Sequence, residues 1–206
     1  MFTKKLSRRE MLAITGALGA AFLLPAEEAL AATLSASTTT LTTLEKSDLA
    51  FMREEEKLAR DVYLTLHEIW GTPVFANIAT SEQQHMDAIL SLLNLYKLPD
   101  PAAGKLVGEF ANTELQALYD ALIARGKQSA LAALLVGGVI EETDIDDLNA
   151  AMETSRLSNI DAVYQNLLNG SYNHLRAFAS NIQSLTGQPY VAQVVSQEIV
   201  DRILKG

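Results

Sequence analysis

Glu82 and His85 are a pair of residues whose types and spacing could bind a metal ion. Side chains three positions apart on a helix lie on one face, so both can reach the same ion from one turn. Carboxylate oxygens and imidazole nitrogens are ligands that divalent metal ions accept. The pair interrupts an apolar stripe between Ile78 and Ile89, and this position predicts a metal site that faces a helical core.

Three other apolar stripes are interrupted at a similar depth by an acid or a histidine. Glu56 lies between Met52 and Ala59, Glu141 lies one turn before an isoleucine, and His174 lies within the last long stripe. Because a buried, unpaired charge costs more free energy than packing returns, such residues in four stripes indicate one shared metal centre. The candidate ligands are Glu56, Glu82, His85, Glu141, Glu142 and His174.

Each of these residues also has an ordinary structural interpretation. Glu56 could pair with Arg60 on a solvated helix face. Glu82 could lie at a helix start if the chain breaks at Thr80–Ser81. His174 alone would fit a hydrogen-bonded core histidine. We favour the metal centre because four independent coincidences would otherwise have to fall at the same depth.

The acidic run from Glu141 to Asp147 leaves two further alternatives open. The whole run could be an exposed, solvated surface, as runs of acids usually are. If it supplies a ligand, periodicity favours Glu141, whereas the neighbouring Glu142 pairs better with Asp146 one turn on. Both glutamates therefore remain candidates.

The elements that must position these residues are helices. Apolar residues recur at intervals of three and four, and no segment shows the alternation of a strand, so we predict an all-α fold. Ser47 is the expected first N-cap, Thr72-Pro73 begins the second helix, and Gly137-Gly138 is a weak point within the fourth. The predicted helices span about residues 47–70, 73–98, 113–124, 128–154, 159 to beyond 182, and 190–204.

The composition fits a helical domain and restricts its chemistry. Hydrophobic residues make up 49% of the 206 residues and aromatic residues 6%, which suits Ala- and Leu-rich helices better than a sandwich or barrel. The chain has no cysteine and three histidines, which excludes disulfides, iron–sulfur clusters and thiolate nucleophiles. A net charge of -9 opposes binding to nucleic acid.

The N-terminal segment has the pattern of an export signal. Basic residues precede an apolar stretch that is too short to span a bilayer comfortably, and small residues follow at Ala29–Ala31. Arg8-Arg9 within Ser7–Leu12 resembles the twin-arginine motif. We therefore predict a twin-arginine signal peptide over 1–31 and a flexible Ser/Thr-rich linker over 32–46, followed by a helical domain over 47–206. An ordinary secretory signal is the alternative, and either predicts a periplasmic or extracellular location with no membrane partner for the mature chain.

The candidate ligands lie in motifs that resemble those of the ferritin-like superfamily, including ferritins and rubrerythrins. Glu56 and Tyr63 have the Glu-x6-Tyr spacing of the first ligand helix, and Glu82-x-x-His85 matches the second. The resemblance is greatest to an uncharacterised ferritin-like family of bacteria and archaea. It covers about residues 49–178, and its most specific blocks are Glu54–Tyr63, Ile140–Ile145 and Gly170–Phe178.

This resemblance implies a four-helix bundle with a di-iron carboxylate centre. Within it we expect the short helix over about 113–124 to be the crossover and the segment over about 190–204 to be an additional C-terminal helix. One position departs from the pattern, because Ser171 lies where an acid is expected three residues before His174. Glu142 or Asp146 could replace that acid; otherwise the second metal would be weak or absent. Asp61 is expected to orient a ligand imidazole, and Tyr63 either hydrogen-bonds a ligand carboxylate or packs in the core.

The expected function is that of an exported metal-binding protein. Its centre would hold iron, most simply as a pair, or manganese, and would react with dioxygen or peroxide. The alternative is a non-catalytic metal-binding or structural bundle of the cell envelope. The expected partners are metal ions and a small oxidant, not nucleic acid, and the chain is also compatible with a homodimer.

Overall fold

Six helices make up residues 40–206, the part of the chain that this computed structural model describes. No strand occurs in these residues, which confirms the all-α class for them. The predicted signal peptide and linker residues 32–39 lie outside the described residues. The helices are α1 (Thr43–Trp70), α2 (Pro73–Leu95), α3 (Thr113–Gly126), α4 (Ala130–Thr154), α5 (Ser158–Thr186) and α6 (Gln197–Lys205).

The first helix begins earlier than predicted. Thr42 is its N-cap: the Thr42 hydroxyl accepts from the Glu45 amide at 3.1 Å, and the Glu45 carboxylate accepts from the Thr42 amide at 2.7 Å. This reciprocal capping box satisfies two backbone donors that would otherwise lack partners. The prediction that Ser47 caps the helix was therefore wrong, and residues 43–46 belong to α1 rather than to the linker.

The other helix boundaries follow the predicted ones closely, apart from the last. Gly71 ends α1 in the left-handed conformation (φ 64°), and Thr72-Pro73 begins α2. Glycine suits this position because it has no Cβ to clash there. The segment predicted as a terminal helix from Tyr190 is irregular at first, and α6 begins only at Gln197.

The four long helices contact one another in a closed cycle. α1 packs along α2 and α4 along α5, and the two pairs meet through α1–α4 and α2–α5 contacts. Each pair is joined by a short connection, so its helices run antiparallel. α3 contacts α1 and α4, whereas α6 packs on α5. Tyr63, Phe75 and Phe178 are fully buried within the core, with ring centroids 5.2 to 6.2 Å apart.

The glycine pair in α4 is not a break in the helix. A Cβ at Gly137 would lie 2.4 Å from the Phe178 ring, and one at Gly138 would lie 2.2 Å from the Tyr190 hydroxyl. Both distances are far shorter than van der Waals contact. The two glycines thus let large side chains pack directly against the backbone of a continuous helix.

The connection between α2 and α3 is fastened to buried charges on α1. Arg53 pairs with Asp100 at 3.0 Å, and the Lys57 ammonium donates to the Leu106 carbonyl at 2.7 Å. Asp61 accepts from the Lys57 ammonium and from the Gly108 amide. These bonds provide partners for charged side chains that α1 buries. None of the helices in residues 40–206 is long and apolar enough to cross a membrane.

Glu142 anchors the segment that precedes α6. Its fully buried carboxylate accepts hydrogen bonds from the Tyr190 hydroxyl at 2.5 Å and from the backbone amides of Gln193, Val194 and Val195 at 2.6 to 3.0 Å. Several donors aimed at one anion form strong, charge-assisted bonds. The carboxylate therefore holds the C-terminal segment against α4.

We expect Glu142→Gln to lower the free energy of unfolding by about 2 to 3 kcal/mol, because an amide is neutral and aims its own donors at backbone donors. Urea unfolding followed by circular dichroism measures this loss. Asp146→Asn, at an exposed position on the same helix, is the control and should change the stability little. Equal losses in the two variants would contradict the assigned role.

Candidate metal centre

Five of the six predicted ligands converge between α1, α2, α4 and α5. Each is buried, with an exposed fraction between 1% and 8%. Because every one of the four helices supplies at least one of them, their convergence depends on the packing of all four. We call this set the histidine cluster: Glu56, Glu82, His85, Glu141 and His174.

Glu82 lies between the two histidines. Its Oε2 is 2.8 Å from Nδ1 of His85, and its Oε1 is 2.9 Å from Nδ1 of His174. One ligand atom from each of these three residues can be chosen so that all lie within 4.8 Å of one another. The two rings are stacked, with their centroids 5.4 Å apart. One carboxylate is therefore shared by two imidazoles from different helices.

A second carboxylate faces each histidine on the same ring atom. Glu56 Oε2 lies 3.1 Å from Nδ1 of His85, and Glu141 Oε2 lies 3.4 Å from Nδ1 of His174. A ring nitrogen carries one proton or one lone pair, so two carboxylates at one nitrogen share at most a single, divided hydrogen bond. Nδ1 of His174 in fact makes no contact with hydrogen-bond geometry. A cation among these atoms would satisfy them together, so the donor set fits a metal ion.

In both rings Nδ1 faces Glu82, and Nε2 lies against other parts of the protein. Nε2 of His174 lies 2.9 Å from the Ser81 hydroxyl. A Cβ on Gly170 would lie 2.4 Å from Nε2 of His85, so the ring packs directly against the α5 backbone. When Nε2 is protonated and bonded to Ser81, the lone pair of Nδ1 is left for a ligand. Neither Ser81 nor Gly170 was predicted to support the histidines in this way.

Tyr63 combines the two roles considered for it. Its ring is buried in the aromatic core, and its hydroxyl donates to Glu141 Oε1 at 2.5 Å. The other oxygen of Glu141 faces His174. Tyr63 thus fixes the orientation of this carboxylate within the cluster.

Glu142 and Asp61 lie elsewhere. The structure does not bring Glu142 to the histidine cluster, because its carboxylate is bound by the C-terminal segment. Asp61 was expected to orient a ligand imidazole, but it instead binds Lys57, Arg60 and the Gly108 amide. Adjacent helix residues point about 100° apart, which separates Glu142 from Glu141.

Asp144, not Glu142 or Asp146, occupies the region opposite Ser171. The Ser171 hydroxyl donates to Asp144 Oδ2 and lies 3.0 Å from the Leu167 carbonyl. Asp144 is buried, whereas Asp146 is exposed. Asp144 was not predicted as a ligand, although it lies three residues after Glu141 and so shares its helix face.

The ordinary interpretations of Glu56, Glu82 and the acidic run do not fit the structure, whereas the 2.9 Å contact of His174 Nε2 with the Ser81 hydroxyl is compatible with a hydrogen-bonded core histidine. Arg60 binds Asp61 and Gln83 rather than Glu56. α2 is continuous through Thr80–Ser81, so Glu82 is not at a helix start. The acidic run of α4 is not an exposed surface throughout, because Glu141, Glu142 and Asp144 are buried in it.

Burial and the mutual charges of the cluster set its protonation. Burial would lower the pKa of His85, but the carboxylates of Glu56 and Glu82 raise it to about 11. The pKa of His174 rises in the same way to about 10, because Glu141 and Glu82 face it. Burial alone would raise the pKa of Glu82, yet the two imidazoles lower it to about 2. Without a metal, two protonated imidazoles therefore offset part of the charge of the acids.

Glu56 differs from Glu82 because it contacts one imidazole instead of two. Burial raises the pKa of Glu56 to about 7 against the opposing effect of His85. Burial also raises the pKa of Glu141, which is close to the negative charge of Glu82. The positive charge of the imidazoles is thus insufficient for all three carboxylates, and a divalent ion would stabilise their ionised forms.

A cavity of about 40 Å³ adjoins the cluster under α3. Glu56, Glu82 and Glu141 of the cluster line it, as do Glu55, Thr143 and Asp144, and the other lining residues are apolar side chains of α1, α3 and α4. A single water needs roughly 10 to 15 Å³ of such space. The cavity can therefore hold a few waters or a small molecule, but not a large substrate. The apolar lining residues include Leu58, Leu115, Leu118, Leu122 and Ile140.

Comparison with known proteins identifies relatives of this chain. The profile of the family described as "Uncharacterized protein domain (DUF2202)" matches residues 45–206. The uncharacterized protein MJ0754 of Methanocaldococcus jannaschii is 45% identical over 160 residues, which cover 78% of this chain and 86% of that protein. A crystal structure of the hypothetical protein MJ0754 superposes with a TM-score of 0.79 at 43% identity, over 82% of this chain and 96% of the other.

In the metal-free protein we expect both cluster imidazoles to remain protonated above pH 7 and to lose their protons only near pH 10 to 11. Their folded pKa values exceed the unfolded value of about 6.5. The stabilisation is therefore full below about pH 6.5 and is lost as the pH rises through the folded values. Nitrogen-15 NMR of the imidazoles measures this titration.

In Glu82→Gln both pKa values should fall, because the shared carboxylate is removed. Titration of both rings near pH 6.5 in the unsubstituted protein would contradict the proposed charge balance.

Proposed function

This chain belongs to the DUF2202 family, and we propose that it is a metalloprotein whose histidine cluster binds iron or manganese for oxidoreductase chemistry with dioxygen or peroxide. The observation that carries the proposal is the arrangement of two buried imidazoles around Glu82. Both present Nδ1 to that carboxylate, and each Nδ1 faces a further carboxylate. The carboxylate oxygens that meet there outnumber the protons available for hydrogen bonds, and metal ions accept both carboxylate oxygen and imidazole nitrogen as ligands.

The residues suggest which side chains would hold which ion. Glu56 and His85 would bind one ion, Glu141 and His174 a second, and Glu82 would be shared between them. A pair of iron ions is the simplest occupant, as in di-iron carboxylate bundles, and manganese accepts the same ligands. Bound iron or manganese would supply redox chemistry toward dioxygen or peroxide.

The side chains around the cluster would orient the ligands and restrict access. Tyr63 holds Glu141 through a hydrogen bond, and Ser81 fixes the ring of His174. Apolar side chains of α3 cover the adjoining cavity, whose small volume admits only a small oxidant. Exclusion of bulk water strengthens every electrostatic interaction inside the cluster.

We also propose that the helices form a four-helix bundle of the ferritin-like type. The cyclic contacts among α1, α2, α4 and α5 support this arrangement, with α3 as the crossover and α6 as the additional helix. The ligands of such bundles project inward from all four helices, as the members of the histidine cluster do here.

Metal content after loading with ferrous or manganous ion tests the proposal. We expect about two ions per chain in the unsubstituted protein. His85→Ala and His174→Ala should lose most of the metal, because each removes an imidazole ligand and leaves its carboxylates unpaired. His67→Ala is the matched control, since His67 lies near the end of α1 against the Thr72 carbonyl and should leave the metal content unchanged. Equal metal content in all three variants would refute a metal centre at the histidine cluster.

The same loaded proteins separate an enzyme from a binder. We expect the unsubstituted protein and His67→Ala to consume peroxide or dioxygen in repeated turnovers, and His85→Ala to be inactive. Oxygen-electrode and peroxide-consumption assays with excess ferrous ion measure this. Bound metal without turnover would instead favour a non-catalytic metal-binding bundle of the cell envelope.

We further propose that the protein is exported through the twin-arginine pathway. The proposal rests on Arg8-Arg9 before the apolar stretch and on the small residues at Ala29–Ala31. Export of a folded chain would suit a protein that acquires its metal before it crosses the membrane. In that case the mature chain begins near the linker.

Replacement of both arginines by lysine should abolish export, because the twin-arginine signal is read by a receptor rather than by charge alone. Fractionation of cells that express Arg8→Lys/Arg9→Lys should find the uncleaved precursor inside the cell. Lys4→Arg/Lys5→Arg, which alters basic residues outside the motif, is the control and should be exported normally. Normal export of the double lysine variant would indicate an ordinary secretory signal.

A further inference from the structure

We propose that the cavity under α3 is a binding site for a small apolar molecule, and that Leu118 of α3 controls entry to it. Of the two oxidants named above, such a site selects dioxygen and disfavours hydrogen peroxide. The choice of dioxygen rests on the proposed function, whereas the apolar character of the cavity does not depend on any metal. The cavity has a volume of about 40 Å³, and one water needs roughly 10 to 15 Å³, so a diatomic molecule fits in it.

One side of the cavity offers no hydrogen-bonding side chain. Its residues come from α1, α3 and α4 and are between 2% and 6% exposed: Leu58, Leu115, Leu122 and Ile140. A water molecule needs about two to four polar partners, so a buried cavity with apolar walls stays dry and takes up apolar ligands instead.

The carboxylates of the histidine cluster also line the cavity, but their oxygens are already engaged or covered. Both oxygens of Glu82 face imidazoles, and those of Glu141 face an imidazole and the Tyr63 hydroxyl. Glu56 turns Oε2 to an imidazole, and its Oε1 has almost no surface that a water molecule can reach. A molecule in the cavity therefore finds no free acceptor on this side.

The other polar residues around the cavity are similarly occupied. The Thr143 hydroxyl donates to a carbonyl of its own helix at 2.8 Å, and Oδ2 of Asp144 accepts from Ser171. Oδ1 of Asp144 and Oε2 of Glu55 have no hydrogen-bond partner in the described part of the chain, but both are covered by protein atoms. Hydrogen peroxide would leave its two O–H groups unsatisfied in such a space, at a cost in free energy. Dioxygen has no hydrogen bond to lose.

The cavity is least covered between α3 and α4. Of its lining residues, Leu118, Val139 and Thr143 are half-buried, whereas Leu115 and Leu122 on the same face of α3 are buried. Leu118 is thus the α3 side chain at the place where the cavity approaches solvent. An apolar molecule that passes it reaches the carboxylates of the histidine cluster directly.

Dioxygen itself, dissolved in a solution of the full chain, tests the site by NMR, because it is paramagnetic and relaxes the nuclei that it contacts. Zinc is added first, since it accepts carboxylate and imidazole ligands but has no redox chemistry. We expect dioxygen to relax the methyl protons of Leu58 and Leu122 several times more than those of Leu49 and Leu93, which are at least as deeply buried but do not line the cavity. Hydrogen peroxide should cause no saturable shift in these signals.

Substitutions at the entry test the role of Leu118. Leu118→Trp should abolish the excess relaxation and lower dioxygen consumption by the iron-loaded chain about tenfold or more at unchanged metal content, because the larger ring fills the entry. Leu95→Trp, at an exposed position at the end of α2, is the matched control and should behave as the unsubstituted chain does. Leu118→Ala widens the entry and should instead strengthen the relaxation, which tests the same role should the tryptophan variant fold poorly.

Relaxation of Leu58 and Leu122 no stronger than that of Leu49 and Leu93 would overturn the proposal. A saturable shift of the cavity signals with hydrogen peroxide would also overturn it, because the site would then bind a hydrogen-bond donor. Full relaxation in Leu118→Trp would contradict control of entry by Leu118. Failure of the proposed function would appear differently, as a chain that binds neither zinc nor iron while dioxygen still relaxes the cavity residues.

Discussion

The carboxylate of Glu82, held between two imidazoles from different helices, is the interaction on which the arrangement of the core depends. Both of its oxygens are engaged, at 2.8 and 2.9 Å from Nδ1 of His85 and His174. His85 lies on the same helix, but His174 must be brought to it from α5. This fixes the depth at which α2 and α5 meet. It also requires α1 and α4 to supply partners for the remaining side of each ring, which Glu56 and Glu141 do.

The surroundings of the cluster are shaped by the space that the rings need as well as by charge. Gly170 has no Cβ that would strike His85, and Gly137 has none that would strike the buried Phe178 ring one turn from the cluster. Tyr63 packs on Phe178 and donates to Glu141, so the aromatic core and the polar centre share a residue. Overpacking in such a core costs about 1 to 3 kcal/mol per added group. The packing of the apolar core therefore constrains the polar centre, and the polar centre constrains the core.

Periodicity predicted the helices and five residues of the histidine cluster, because a charge on an apolar stripe is conspicuous. It favoured Glu141, which does face His174, but the possible pairing of Glu142 with Asp146 kept Glu142 as a candidate, since α4 is buried on more than one side and both positions face protein. The start of α1 was missed because Thr42 and Glu45, a capping box, lie within a Ser/Thr-rich stretch that resembles a linker. Asp144 was missed because a run of acids usually indicates a solvated surface. These features depend on how neighbouring elements pack, and a local sequence pattern does not contain that information.

The acids of α4 show how one short run can serve separate purposes. Glu141 faces His174, Glu142 binds the backbone of the C-terminal segment, and Asp144 accepts from Ser171 beside the cavity. Asp146 faces solvent. Successive positions on a helix are rotated by about 100°, so within two turns the same side-chain chemistry meets an imidazole, backbone amides, a hydroxyl and water. The consequence of removing one of these charges is therefore set by its direction from the helix axis and not by its place in the run. Neighbouring substitutions should differ in kind, one affecting the centre and the next the attachment of the C-terminal segment.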